Sequence, residues 1–131
     1  ACSGAALLGA PLTHDFSVFI LSDRLTSWEL IETRLRCAAK ADLSIVIYNP
    51  ASKSRPDHLK RACRILMELL PEDRICGICR NIGREGEQDT VLTLKELCEA
   101  EVDMFCTVFI GNSMTKVIGG KMVTPRGYRY V

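Results

Sequence analysis

The chain predicts an α/β layer fold, with a mixed sheet flanked by helices. Three observations carry this. Short β-branched runs alternate with longer segments of helical periodicity, those segments bring their own start and stop residues, and the last strand-like runs follow one another with no helix between them, so the sheet is mixed. Its 131 residues and 47% hydrophobic content suit a single domain with a sizeable core, and no repeat or low-complexity tract breaks the pattern.

Residues 1–12, "ACSGAALLGAPL", read as a small-residue helix. The segment lacks a basic n-region and is too short to span a bilayer, so no targeting role is assigned to it; its abrupt start reads as a cut from a longer chain. "FSVFIL" (16–21) is the first strand. "TSWELIETRLRCAAKAD" (26–42) is an amphipathic helix, with Thr26 or Ser27 as N-cap, Glu29 in the first turn and Leu30, Ile31, Leu35 and Ala38 on one side.

"LSIVIY" (43–48) is a strand with no polar face, which stops at Tyr48-Asn49-Pro50. "PDHLKRACRILMELL" then forms a helix opened by Pro56 and Asp57 and closed by Pro71. "RICGICR" (74–80) is a strand, "NIGREGEQD" a polar loop, and "TVLTLKEL" a short strand running into a helical turn. "FCTVFIG" (105–111) is another strand, and "KVIGGKMVTPRGY" an end strand or hairpin turning at Gly119-Gly120.

Seventeen basic against sixteen acidic residues leave a net charge of +1, which gives no global electrostatic attraction to nucleic acid or a membrane surface. Any charged partner must be met by a local patch. The seven cysteines (Cys2, Cys37, Cys63, Cys76, Cys79, Cys98, Cys106) are odd in number and lie mostly in apolar segments, which favours reduced thiols in a cytoplasmic protein. Cys76 and Cys79 are the one close pair. On a strand an offset of three sends them to opposite faces, and no His or second pair completes a ligand set, so they read as buried small hydrophobes and no metal site is expected.

No nucleotide fingerprint is present, and Gly83 and Gly86 read as a flexible turn. His14 and His58 read as surface or capping residues without a paired nucleophile. The basic run Lys53, Arg55, Lys60, Arg61, Arg64 reads as a solvated helix face, with a carboxylate-binding loop at Lys53 and Arg55 as the functional alternative. Trp28 is expected to pack on the sheet, or else to line a large flat ligand. One pattern recurs at three strand ends: "YNP", "CRNIGREG" and "TVFIGNS" each place Asn or Arg at or just after the last strand residue. Side by side and parallel, these ends would build one polar rim on an apolar sheet, where α/β folds bind small molecules.

With these residues in view, the chain resembles the tetrapyrrole methyltransferases, and within them the precorrin-3B C17-methyltransferases of cobalamin biosynthesis. The stretches that carry the resemblance are "ALLGAPLTHDFSVFILSDRLTSWELIETRL", "IVIYNPASKSRP", "GICRNIGREGE" and "VFIGNSMTKVIGGKMVTPRGY", in the family's order and spacing and nearly end to end. The resemblance implies a bilobal enzyme with S-adenosylmethionine in the cleft between two α/β domains, S-adenosylhomocysteine as product and a tetrapyrrole as substrate. Residues 1–131 would form the C-terminal lobe. The cofactor's glycine-rich loops would belong to an absent N-terminal lobe, the chain alone would be inactive, and that lobe or a second copy would be its protein partner.

By position, the resemblance implies that Tyr48 and Asn49 face the adenosine side of the cofactor. It places Arg80 or Asn81 near the ribose or amino-acid part, and Phe105, Cys106 and Thr107 beside the adenine. Cys106 stands where relatives often have threonine, which implies a weaker hydrogen bond. Ser22, Asp23 and Thr26 are assigned to the tetrapyrrole rim, with Lys53, Arg55, Arg80 and Arg84 steering the substrate's carboxylates. Charge reversal at Arg80 is then expected to weaken binding and leave thermal stability nearly intact. The implied reaction is methyl transfer to C17 of precorrin-3B or its cobalt-bearing counterpart, with ring contraction. A non-catalytic pairing module and a small anion- or nucleotide-binding α/β domain stand as alternatives.

Overall fold

The computed structural model describes residues 5, 7–12, 15–21, 27–48, 50, 57–82, 85–103 and 105–125. Its strands are β1 (Gly9–Ala10), β2 (Phe16–Ile20), β3 (Ser44–Tyr48), β4 (Ile75–Arg80), β5 (Gln88–Thr93), β6 (Cys106–Ile110), β7 (Lys116–Ile118) and β8 (Lys121–Val123). Its helices are α1 (Trp28–Lys40), α2 (His58–Met67) and α3 (Leu94–Glu99).

Local chemistry explains most of these boundaries. Ser27 caps α1, its hydroxyl accepting from Leu30 N at 3.3 Å. Thr93 and Glu96 form a reciprocal capping box, Thr93 Oγ1 accepting from Glu96 N at 3.2 Å and Glu96 Oε1 from Thr93 N at 3.0 Å, so β5 passes straight into α3. Gly119 and Gly120 have φ of 57° and 75°, the two positive values that a tight hairpin requires between β7 and β8.

The main sheet has the order β2-β3-β6-β4-β5. β2 and β3 are parallel, and every other neighbouring pair is antiparallel. A second sheet, β1-β8-β7, contains two of the residues read as part of an N-terminal helix: Ala5, Leu7 and Leu8 are helical, but Gly9–Ala10 pairs in parallel with β8. A two-residue strand leaves no periodicity in sequence; its pairing with residues 113 positions away creates it.

The strands alternate their side chains between two cores. Ile45, Ile47, Ile78, Val108 and Ile110 pack on the helical side with Leu35, Leu59, Leu66 and Leu97. Val46, Cys79 and Phe109 pack on the other side with Ala5, Leu8 and Met122. Cys76 and Cys79 accordingly fall in different cores, as their spacing predicts.

Candidate functional site

β2, β3 and β4 run in one sense, so their carboxyl ends reach the same edge of the sheet. The three strand ends singled out in sequence do not all meet there. β6 lies antiparallel between β3 and β4, because the β5–α3–β6 connection returns the chain parallel to β5, itself the hairpin partner of β4. The edge therefore joins the ends of β3 and β4 to the start of β6. Tyr48 pairs with Thr107, Cys79 with Thr107 and Arg80 with Cys106. Gly111, Asn112 and Ser113 lie at the opposite edge, where Asp42 accepts hydrogen bonds from Ser113 N (2.8 Å) and from the Ser113 hydroxyl. The "IGNS" motif thus ties the end of β6 to the turn before β3.

Strand alternation divides the candidate cofactor residues. Tyr48, half-buried, packs against the core that holds Cys79 and Phe109, and Thr107 shares its face of the sheet. Arg80 and Cys106 point to the helical face. Arg80 donates to Cys106 Sγ at 3.3 Å and to the Glu101 carbonyl at 2.6 Å. Asp103 receives Phe105 N at 2.8 Å and Cys106 Sγ at 3.4 Å through the same carboxylate oxygen. Burial raises the Cys106 thiol above its ordinary value, while a backbone bond with Asp103 and the Arg80 charge offset part of the rise; Cys106 stays a neutral thiol. Within the protein its sulfur hydrogen-bonds with Arg80 and Asp103.

Asn81 continues the ladder through Asn81 N to Phe105 O at 3.3 Å, then turns with φ of 53° and donates Nδ2 to Gly86 O at 3.4 Å. An amide at this point is explained by the left-handed conformation it tolerates. Phe105 is exposed. The structure therefore gathers Tyr48, Arg80, Asn81, Phe105, Cys106 and Thr107 at one edge. Asn49, Ser22, Asp23, Thr26, Lys53, Arg55 and Arg84, and likewise His14, lie outside the described residues.

Sequence reasoning missed His58. It is buried, and its Nδ1 lies 2.7 Å from the Leu21 carbonyl at the end of β2. Its ring centroid is 4.9 Å from that of Trp28, whose indole N–H donates to Glu32 Oε1 at 2.7 Å, and the Arg61 guanidinium lies over the indole at 4.3 Å. The signal was present: His58 shares the apolar stripe of Ala62, Ile65 and Leu66, at i, i+4, i+7 and i+8. Lys60, Arg61 and Arg64 are exposed, as a solvated face requires. Among the described residues no group of three His, Cys, Asp or Glu could hold a metal ion, and no helix is long and apolar enough to cross a membrane.

The sequence pattern of the Tetrapyrrole (Corrin/Porphyrin) Methylases matches residues 1–98. A probable cobalt-factor III C(17)-methyltransferase from Methanocaldococcus jannaschii is 46% identical over 136 residues, covering 98% of this chain and 55% of the relative. The crystal structure of the methyltransferase CobJ matches with a TM-score of 0.86 at 37% identity, over 95% of this chain and 52% of that one. A uroporphyrin-III C-methyltransferase from Thermus thermophilus, solved with S-adenosyl homocysteine, shares the fold at a TM-score of 0.60 and 17% identity, over 83% of this chain and 48% of that one. The chain spans about half the length of these proteins, and it belongs to the tetrapyrrole methylase family.

Proposed function

We propose that the chain supplies the C-terminal half of the cleft of an S-adenosylmethionine-dependent methyltransferase of corrin biosynthesis. The methyl goes to C17 of precorrin-3B or cobalt-factor III, with ring contraction. The observation that carries this reading is the edge at which Tyr48 stands opposite Thr107 and Arg80 opposite Cys106. Family membership and the C17 specificity named for the Methanocaldococcus jannaschii relative support it.

The residues present fit a nucleoside. Tyr48 brings an aromatic body with a polar tip, Thr107 a hydroxyl, and both project from one face of a rigid sheet. When bound, the cofactor supplies a methyl already activated on a sulfonium, so no nucleophilic side chain is required of this chain. Its residues bind and orient: Tyr48 and Thr107 the nucleoside side, the first turns of α1 and α2 the substrate side. Their contribution to rate is positional, holding donor and acceptor at near-attack distance and keeping water out. The neutral Cys106 thiol accords with this, since it does not compete for the methyl. The described cysteines are all free thiols, in keeping with a cytoplasmic setting.

A pairing role accompanies this reading. β2 is an edge strand of the main sheet and leaves Phe16, Val18 and Ile20 exposed on one face, beside Tyr48. Its other face opens onto a groove of about 820 Å³ that Ile31, Arg34, Cys37 and Ala38 of α1 help to line. Uncharged and, among the described residues, unpaired, an edge of this kind is a surface that another lobe or another copy covers.

Calorimetric titration with S-adenosylhomocysteine tests the proposal, on the chain alone and mixed with a separately produced N-terminal half. Binding in the mixture alone supports a C-terminal half-site. Tight binding to the chain alone argues that it completes a cofactor site by itself, and no binding in either sample removes the methyltransferase reading.

A further inference from the structure

We infer that Arg61, held over the Trp28 ring, is an anchor for a carboxylate of the substrate. The inference rests on the reading above, which makes the substrate a tetrapyrrole bearing several carboxylates. It adds Arg61 to the set Lys53, Arg55, Arg80 and Arg84 that the resemblance assigns to the substrate's carboxylates, and takes the anchoring role from Arg80.

Of the six described arginines, Arg34 and Arg64 are exposed, and the other four are held by side-chain or backbone contacts in different ways. Arg36 pairs with Glu68 and Arg74 with Asp42, both remote from the candidate edge, which lies at the other ends of α1 and β4. Arg80 lies at the edge but turns inward, spending its N–H groups on Cys106 Sγ and the Glu101 carbonyl. Arg61 differs from all three. It is exposed, it has no carboxylate partner among the described residues, and it is nonetheless held, 4.3 Å from the centre of the Trp28 ring. The ring is held in turn: Glu32 takes its N–H at 2.7 Å, His58 packs against it, and His58 is bonded to the Leu21 carbonyl. A guanidinium held over an indole face is ordered beforehand, and an ordered N–H fork loses less entropy when it receives a carboxylate.

Position supports the same role. Leu21 directly follows β2, and its N–H reaches the Tyr48 carbonyl at 3.5 Å, so the His58–Trp28–Arg61 stack is built onto the edge that carries the candidate cofactor residues. Trp28 opens α1, and Arg61 lies in the first turn of α2, with Arg61 N bonded to Asp57 O at 3.0 Å. Both helices point their positive ends the same way, which favours an anion between them. A flat ligand does not stack on the indole face that Arg61 covers, so Trp28 serves the substrate through Arg61.

The test is titration of the chain with uroporphyrin, a tetrapyrrole with eight carboxylates, followed by the fluorescence of Trp28, the chain's single tryptophan. Arg61→Glu should weaken binding about tenfold or more, the scale of a lost charge-assisted pair, and Arg61→Lys, which keeps the charge but not the fork, by less. Lys60→Glu, the same charge change one residue away, should stay within about twofold. Equal losses for Arg61→Glu and Lys60→Glu would reduce the effect to bulk charge and overturn the inference, as would unchanged binding in Arg61→Glu or no uroporphyrin binding by the parent chain. S-adenosylhomocysteine calorimetry on the same variants mixed with the N-terminal half reads the methyltransferase proposal independently: cofactor binding that persists in the mixture while Arg61 proves indifferent leaves that proposal standing without this anchor.

Discussion

Arg80 and Cys106 face each other across β4 and β6, with Arg80 Nη1 donating to Cys106 Sγ at 3.3 Å. The second guanidinium nitrogen closes on the Glu101 carbonyl at 2.6 Å, so a residue expected to face a ligand also holds the segment that leads into β6. This alters the consequence of reversing its charge. Arg80→Glu sets a carboxylate against the Glu101 carbonyl and close to Asp103, and should cost about 1–3 kcal/mol of stability even without ligand. Thermal unfolding of the unliganded variant checks this, and an unchanged Tm would return Arg80 to a purely ligand-facing role.

Asp42 and Ser113 make the corresponding tie at the far edge. Burial pushes the Asp42 carboxyl upward, but the bonds from the Ser113 hydroxyl and N–H, with the charge of Arg74, outweigh it and hold the carboxyl below its ordinary value. A carboxyl depressed in the folded state contributes stability above its unfolded value and loses it as pH falls through the folded one. Asp42→Asn keeps a residue that tolerates the φ of 59° and removes only the charge. It should cost up to about 1 kcal/mol at neutral pH, a figure kept low because the carboxylate is half-exposed. The difference in Tm from the parent should shrink below about pH 4, where the unfolded carboxyl takes up its proton. A difference that is constant with pH would mean that geometry, not charge, carries the tie.

The elements of the main sheet and the helices were legible because their causes are local. Ile45 to Ile47 form a β-branched run with no polar face, Ser27 is a cap, and Gly119-Gly120 is a turn, each decided by a few neighbouring residues. The direction of β6 was not legible, since it follows from which strands the β5–α3–β6 crossover lands between. That misreading grouped Asn112 and Ser113 with Tyr48, although the edge holding Tyr48, Arg80, Phe105, Cys106 and Thr107 does form. His58 was lost for another reason: a histidine on an apolar stripe was read by residue type, whereas the Leu21 carbonyl that accounts for its burial is 37 residues away.

The thiols offer a test of the cores themselves. Burial, with a smaller push from Cys98, raises Cys63 to about 12; burial, with Asp89 and Glu87, raises Cys79 to about 12; and burial raises Cys76 as well. Since the thiolate is the reactive species, native chain at about pH 8 should alkylate at exposed Cys37 and leave Cys63, Cys76 and Cys79 intact until it unfolds. Peptide mapping after timed iodoacetamide treatment measures this. Cys76 or Cys79 reacting as fast as Cys37 would show β4 opening under native conditions.

Gly77 sits in the middle of β4, paired with Val91 and Phe109, and a β-carbon built there would lie 2.6 Å from Leu8 Cδ1. Leu8 is fully buried and comes from the segment that leads into β1, so this contact fastens the start of the chain across the face of the sheet opposite the helices. Gly77→Ala should cost about 1–3 kcal/mol by overpacking, and Leu8→Ala about 2–5 kcal/mol by the cavity it leaves. The double variant should cost clearly less than the sum, because the added methyl then occupies space that Leu8 has vacated. Denaturant unfolding of the four proteins measures the coupling. Strict additivity would detach Leu8 from β4, and with it the account of how the start of the chain is anchored to the sheet that carries the candidate site.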